Sequence, residues 1–161
     1  KKNRFQHFQM GWNYRMTNIQ AAIGCAQLEN INLHIKKKRE IGNLYQKYIK
    51  ITNNFQLPEI KINGAENIYW VFGIVLKGKF KNKVKKITTI LNKKYNIGTR
   101  PFFWPLHKQP ILNNIKFKID KKNLTISENI SKNGFYIPSG LGIRKSEIKY
   151  VSNVINEVLG K

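Results

Sequence analysis

The stretch YWVFGIVL, residues 69–76, lies within the longest apolar run of the chain, residues 68–76. Aromatic and β-branched residues dominate it, and these residue types favour extended strands. Because no polar residue interrupts the run, both faces of the strand should be covered, as at the centre of a layered domain. The run is far shorter than the roughly 20 residues that a membrane-spanning helix needs. It therefore predicts a buried strand in a globular domain and no membrane span.

The sequence upstream of this strand predicts helices. Thr17 and Gln20 fit a capping box, in which each side chain satisfies a free backbone amide at the start of a helix. Apolar and small residues then recur at helical spacing over residues 19–26, and a second helical pattern covers residues 41–48. The sequence leaves open whether the two helices are continuous or kinked near residues 30–32.

Downstream of the strand, helical and extended patterns alternate. Helical spacing predicts helices at residues 84–95 and 148–158 and a shorter one at residues 124–133, ending at Gly134. Residues 135–138 predict a short strand. Residues 99–107 contain two prolines and three large aromatic residues and predict an irregular extended segment. This order of elements, in a chain of 161 residues, predicts a single α+β domain that is large enough to bury a core.

The formal net charge of +22 suggests a polyanion as a partner. The basic residues, however, lie in separate stretches at residues 36–39, 77–86 and 116–122, and none of these stretches carries a nucleic-acid-binding motif. Lys, Asn and Ile are all abundant and acidic residues are scarce, which indicates a general compositional bias. A basic nucleic-acid-binding module is therefore the lowest-ranked alternative, and no nucleic-acid partner is expected.

The cysteine and histidine content gives no disulfide and no metal site. The single Cys25 excludes an intrachain disulfide and, with no signal-peptide pattern, favours the cytoplasm. It lies among small helical residues and is expected to be buried. His7 and His34 have no companions at the spacing of metal ligands.

Separated segments of the chain resemble one enzyme family. Residues 11–24, GWNYRMTNIQAAIG, and the QLE that follows at 27–29 resemble a hallmark of the DegT/StrS family of sugar aminotransferases, which are fold-type I pyridoxal-phosphate enzymes. Residues 69–76, residues 100–107 (RPFFWPLH) and residues 134–141 (GFYIPSGL) are similar to a narrower branch, the perosamine synthases. The resemblance runs in register over nearly the whole chain.

The resemblance implies that residues 1–161 are the C-terminal portion of an aminotransferase. Residues 1–50 would form an interface loop and a long helix, and residues 51–161 a small α+β domain with a mostly antiparallel sheet packed by helices. A larger N-terminal domain, absent from this chain, would hold the Schiff-base lysine. No catalytic residue is therefore expected here, and the chain alone should be inactive.

The resemblance also implies what the full-length parent does. It would be a homodimer with shared active sites that uses pyridoxal 5'-phosphate to transfer an amino group from glutamate to a 4-keto-6-deoxy sugar nucleotide. A second hypothesis within the family is a pyridoxamine-phosphate-dependent 3-dehydratase of GDP-keto sugars, in which a histidine replaces the Schiff-base lysine. The residue that decides between them lies upstream of Lys1, so this sequence leaves both open.

Two groups of residues are candidates for binding. The resemblance assigns Asn13 to the cofactor phosphate of the other subunit, and Arg15 would support the same anionic region. Without the surrounding motif, a turn asparagine and an arginine in an ion pair would be the plainer interpretations.

The second group is Arg100, Phe103, Trp104 and His107, which the resemblance places near the substrate. A guanidinium suits a diphosphate, and flat aromatic rings suit the faces of a sugar or a base. From sequence alone, structural roles for His107 and for the aromatic residues compete with these assignments.

Overall fold

The computed structural model describes residues 4–114 and 124–160. In these ranges the chain forms five α-helices: α1 Asn18–Glu29, α2 Ile31–Tyr48, α3 Val84–Tyr95, α4 Thr125–Asn133 and α5 Lys145–Leu159. It also forms six short strands: β1 Phe55–Gln56, β2 Lys61–Ile62, β3 Ala65–Glu66, β4 Phe72–Leu76, β5 Arg100–Pro101 and β6 Gly134–Ile137. The predicted α+β class is confirmed.

Four of the strands form one antiparallel sheet in the order β1-β4-β6-β5. In the register, Phe72 lies opposite Ile137 and Ile74 opposite Phe135, and these apolar side chains share one face of the sheet. All four are buried. Tyr45 of α2 packs its ring 4.8 Å from that of Phe72, and α5 packs beside α2 over the same core. This face of the sheet is therefore the main hydrophobic core.

The opposite face of the sheet is covered by Phe102 and α4. Two positions on this face, Gly73 of β4 and Gly134 of β6, carry no side chain, and a Cβ atom at either position would overlap the ring of Phe102. Ile126 and Ile130 of α4 line the same space. β4 is thus covered on both faces, as its uninterrupted apolar sequence predicts.

Helix α1 lies outside the core. Its capping box forms as predicted, with the Gln20 amide donating to Thr17 Oγ1 at 3.3 Å and the Thr17 amide donating to Gln20 Oε1 at 2.8 Å. None of its residues is buried, and Ile19 and Ile23 are 75% and 60% exposed. The predicted burial of Cys25 is wrong for this chain, since its side chain is exposed.

The two N-terminal helices are separate. Asn30, with φ −105° and ψ 11°, is the C-cap of α1 and the N-cap of α2. The N-terminal half of α2 is largely exposed or half-buried, whereas Ile41 and Tyr45 enter the core.

The structure differs from the sequence prediction at the start of β4. The apolar run begins at residue 68, but the strand begins at Phe72. Tyr69 has a φ of 50°, in the left-handed region, and turns its ring into the core, whereas Trp70 is 67% exposed. The hairpin of β2 and β3 and the two-residue strands β1 and β5 were not predicted as strands, because such short elements have no periodic signal of their own.

Candidate functional site

An open cleft of about 380 Å³ lies beside β5, the edge strand of the sheet, and its neighbour β6. Arg100 of β5 pairs with Tyr136 of β6 in the antiparallel register, which places both side chains on one face of the sheet. Lys38 of α2, Trp70 and Ser139 complete its walls. Among the described residues that line the cleft, none is acidic. We call it the Lys38–Arg100 cleft.

Two cations enter this cleft without a carboxylate partner among the described residues. The Nη1 atom of Arg100 donates to the neighbouring carbonyl oxygen of Thr99, at 3.3 Å. The Nζ atom of Lys38 donates to the carbonyl oxygens of Trp70, at 2.9 Å, and Ser139, at 2.6 Å. Partial burial lowers the pKa of Lys38 from its ordinary value, because desolvation penalises the charged amine. The cleft thus presents positive charge to a ligand.

A cluster of aromatic rings lies beside these cations. Phe103 stacks on Trp70, with ring centroids 5.8 Å apart and planes 1° apart, and lies 6.3 Å from the ring of Tyr136. Phe5 packs against the same ring of Phe103 at 4.8 Å. Arg100 and Phe103 were predicted together from the sequence. In the structure both lie beside Trp70 and Tyr136. The exposed ring of Trp70 can pack against the face of a sugar or a base.

Trp104 and His107 have different surroundings from Arg100 and Phe103. Trp104 lines a separate cleft of about 680 Å³ beside α4, and its indole Nε1 donates to the carbonyl oxygen of Lys108 at 2.8 Å. His107 Nε2 lies 2.8 Å from Glu128 Oε1, and Lys108 Nζ lies 2.7 Å from Glu128 Oε2. The hydrogen bonds from Lys108 and then His107 lower the pKa of Glu128 from its ordinary value.

The structure thus splits the predicted substrate group in two. The side chain of His107 is only 10% exposed and one of its nitrogens is engaged by Glu128, which suits a structural role. Its contact with a substrate stays a prediction, as does that of Trp104.

Asn13 and Arg15 lie on an exposed segment without regular secondary structure that leads into α1. Neither forms a hydrogen bond or ion pair with another described residue. The adjacent Trp12 and Tyr14 are 77% and 84% exposed. The side-chain donors of Asn13 and Arg15 are thus free to meet an anion, although no described contact joins them to the Lys38–Arg100 cleft.

Most residues of the cleft, among them Trp70, Tyr136 and Lys38, were not among the predicted site residues. Trp70 belonged to an apolar run that predicted a buried strand, and Tyr136 to the short strand at 135–138. Lys38 belonged to a lysine run typical of a solvated helix face. A usable signal existed for Lys38, because positions 38, 41 and 45 lie on one helical face and Ile41 and Tyr45 are apolar.

Residues 4–114 and 124–160 contain no group of three or more His, Cys, Asp or Glu side chains that could hold a metal ion. In the same part of the chain, no helix is both long and apolar enough to cross a membrane.

Comparison with known proteins identifies the family. Residues 1–156 match the DegT/DnrJ/EryC1/StrS aminotransferase family. The GDP-perosamine synthase of Vibrio cholerae is 32% identical over 152 residues, which cover 94% of this chain and 40% of that protein. This chain accordingly spans about 40% of the length of the curated relatives that it matches first.

Two solved structures share the fold. PseC of Helicobacter pylori, an aminotransferase involved in the biosynthesis of pseudoaminic acid, superposes with a TM-score of 0.72 at 17% identity and covers 94% of this chain and 40% of its own. The E. coli GDP-4-keto-6-deoxy-D-mannose-3-dehydratase, solved with bound hydrated PLP, gives a TM-score of 0.71 at 20% identity, over 92% of this chain and 36% of its own. The chain therefore belongs to the DegT/DnrJ/EryC1/StrS aminotransferase family.

Proposed function

We propose that the protein containing this chain transfers an amino group from glutamate to the keto carbon of a 4-keto-6-deoxy sugar nucleotide. The observation that carries this proposal is the family match along nearly the whole chain, together with a GDP-perosamine synthase as a similar relative. The Lys38–Arg100 cleft supports it, since cations beside stacked aromatic rings suit a ligand that combines phosphates with sugar and base rings.

The proposed cofactor is pyridoxal 5'-phosphate. Asn13 and Arg15 fit its phosphate, because an amide donor and a guanidinium lie exposed on one segment without engaging another described residue. When bound, the cofactor supplies the electron sink for moving an amino group between donor and acceptor. The lysine that holds it would lie in a part of the protein outside these 161 residues, and the active site would be shared between two subunits of a homodimer.

The test uses the full-length protein, loaded with pyridoxal 5'-phosphate and incubated with glutamate and GDP-4-keto-6-deoxymannose. Mass spectrometry should detect a GDP-amino sugar together with an equal amount of 2-oxoglutarate. A protein that binds the cofactor but forms neither product would refute the transaminase assignment.

The same incubation separates the transaminase from the dehydratase. A dehydratase would yield a sugar that has lost the hydroxyl group at C3 and carries no nitrogen. The two products differ in mass and in nitrogen content, so incubation with ¹⁵N-glutamate identifies which reaction occurs. Omission of the keto sugar is the matched control, because 2-oxoglutarate formed without an acceptor is limited to one equivalent per cofactor.

A further inference from the structure

We propose that Lys38 and Arg100 together bind an oxyanion of the substrate, either a phosphate of the nucleotide or a carboxylate of the amino donor. The identity of the ligand rests on the proposed function. The site itself rests on geometry, and Lys38 is the new element in it.

Lys38 is held in place before any ligand arrives. Its ammonium group donates to two carbonyl oxygens, one in the segment that leads into β4 (Trp70) and one in the turn after β6 (Ser139). Holding the side chain in one position lowers the entropy that it loses when a ligand binds. The Nζ atom has three donors, and these two bonds leave one that the described residues do not use.

The charge at this position is not neutralised within the described part of the chain. Elsewhere, cations of α2 and α5 do find acids, as Lys37 and Lys145 both pair with Glu40. Among the residues that the structure describes, Lys38 contacts only carbonyl dipoles and Arg100 contacts only the carbonyl of Thr99. A half-buried ammonium without a counter-charge is costly, and an anion beside it would recover part of that cost.

The two cations complement each other chemically. A guanidinium offers a planar fork of donors that matches an oxyanion, and an ammonium acts as a compact point charge. Both side chains line the same cleft of about 380 Å³, which is the reason for assigning them one ligand. Phosphate and carboxylate share this chemistry, and the experiment distinguishes them.

The experiment compares Lys38→Met and Arg100→Gln with the wild type in the full-length, cofactor-loaded protein. Isothermal titration calorimetry measures the Kd of GDP, which carries the phosphates, and of glutarate, a dicarboxylate that cannot donate an amine. Loss of a charge-assisted hydrogen bond should weaken one of the two ligands by about 10-fold in each variant. Lys36→Met is the matched control, since Lys36 is exposed on the same helix and lies outside the cleft. It should stay within about twofold of the wild type.

A weaker GDP complex assigns the site to the phosphates, and a weaker glutarate complex assigns it to the donor carboxylate. Either result supports the site. If both variants bind both ligands within twofold of the wild type, the proposal is overturned. Should Lys38→Met fail to fold, because the Trp70 and Ser139 carbonyls lose their donor, Arg100→Gln and Lys38→Gln, which removes the charge but keeps a donor, decide the question. In that case, an unchanged Kd of both ligands in both variants overturns the proposal.

These binding measurements do not depend on turnover. If the wild type forms no amino sugar while the variants bind GDP or glutarate more weakly, the oxyanion site stands and the proposed reaction fails. If the wild type forms the amino sugar and the variants bind both ligands unchanged, only the site fails.

Discussion

Replacing Gly42 with alanine tests how closely α2 packs against the segment that leads into β4. A Cβ atom at Gly42 would lie 2.5 Å from Cε2 of Tyr69 and closer still to two other atoms of that ring. Carbon atoms that are not bonded prefer separations of about 3.5–4.0 Å. Either the ring or the helix must therefore move.

The ring of Tyr69 has little room to move. It is 1% exposed, it stacks on Phe72 with centroids 5.7 Å apart, and its backbone φ is 50°. Overpacking a core costs about 1–3 kcal/mol, and the upper end applies because several ring atoms overlap. Alanine in place of a helical glycine stabilises the helix by about 1 kcal/mol, because of its higher helix propensity. The free energy of unfolding should therefore fall by about 2 kcal/mol, which corresponds to a Tm lower by about 4–8 °C for a chain of this size.

Urea unfolding of the 161-residue chain, followed by circular dichroism, measures this loss. Gly24→Ala is the matched control, because Gly24 lies in α1 and a Cβ atom there would meet nothing within 4 Å. The control should show no loss of stability. If Gly42→Ala is as stable as the wild type with an unchanged m-value, Tyr69 is not held against α2 and the packing argument is wrong.

Three further predictions concern the cap of α1, the core and one ion pair. Thr17→Ala should weaken the start of α1 by about 1 kcal/mol, seen as faster amide hydrogen exchange in its first turn; unchanged exchange there would contradict the capping role. Ile155→Ala, at a fully buried site, should cost about 2–5 kcal/mol in urea unfolding, whereas Ile126→Ala, at a site 71% exposed, should stay within about 0.5 kcal/mol; equal losses would refute the assignment of the core. The pKa of Glu128 is lowered, mainly by Lys108, so its carboxylate stabilises the fold above the ordinary value of 4.5 and this contribution is lost as the pH falls. Glu128→Gln should therefore lower the free energy of unfolding at neutral pH, with a difference that shrinks below that value; a difference that does not change with pH would count against the ion pair.

Helices were the part of the fold most accessible from the sequence. The pattern at residues 84–95 and the stop after it agree with α3, whose C-cap Asn96 adopts the left-handed conformation with φ 53°. The expected short helix at residues 124–133 agrees with α4, apart from its first residue. Helical spacing and capping are local signals, so a single sequence can show them.

Strands shorter than four residues could not be predicted from the sequence in the same way. β1 and β5 contain two residues each, and they are strands only because β4 and β6 pair with them. The start of β4 at Phe72, four residues into the apolar run, has a similar cause. Tyr69 leaves the extended conformation to fill the space beside Gly42, and that space exists only once α2 is in place.

The candidate site was accessible only in part. Arg100 and Phe103 were predicted together and share two neighbours, since Arg100 lines the cleft with Trp70 and Tyr136 and Phe103 stacks on both of these rings. Their separation from Trp104 and His107 could not be predicted, because it depends on β6, on α4 and on Glu128, which lies 21 residues beyond His107.

The sequence by itself determined the family and the helical framework. The motif at residues 11–24 and the helical patterns depend only on residues that are close together in the sequence. Only the tertiary structure decided which cations share a cleft. Lys38 reaches Trp70 across 32 positions and Ser139 across 101. Contacts at such separations are set by how the helices pack on the sheet, and no local pattern encodes them.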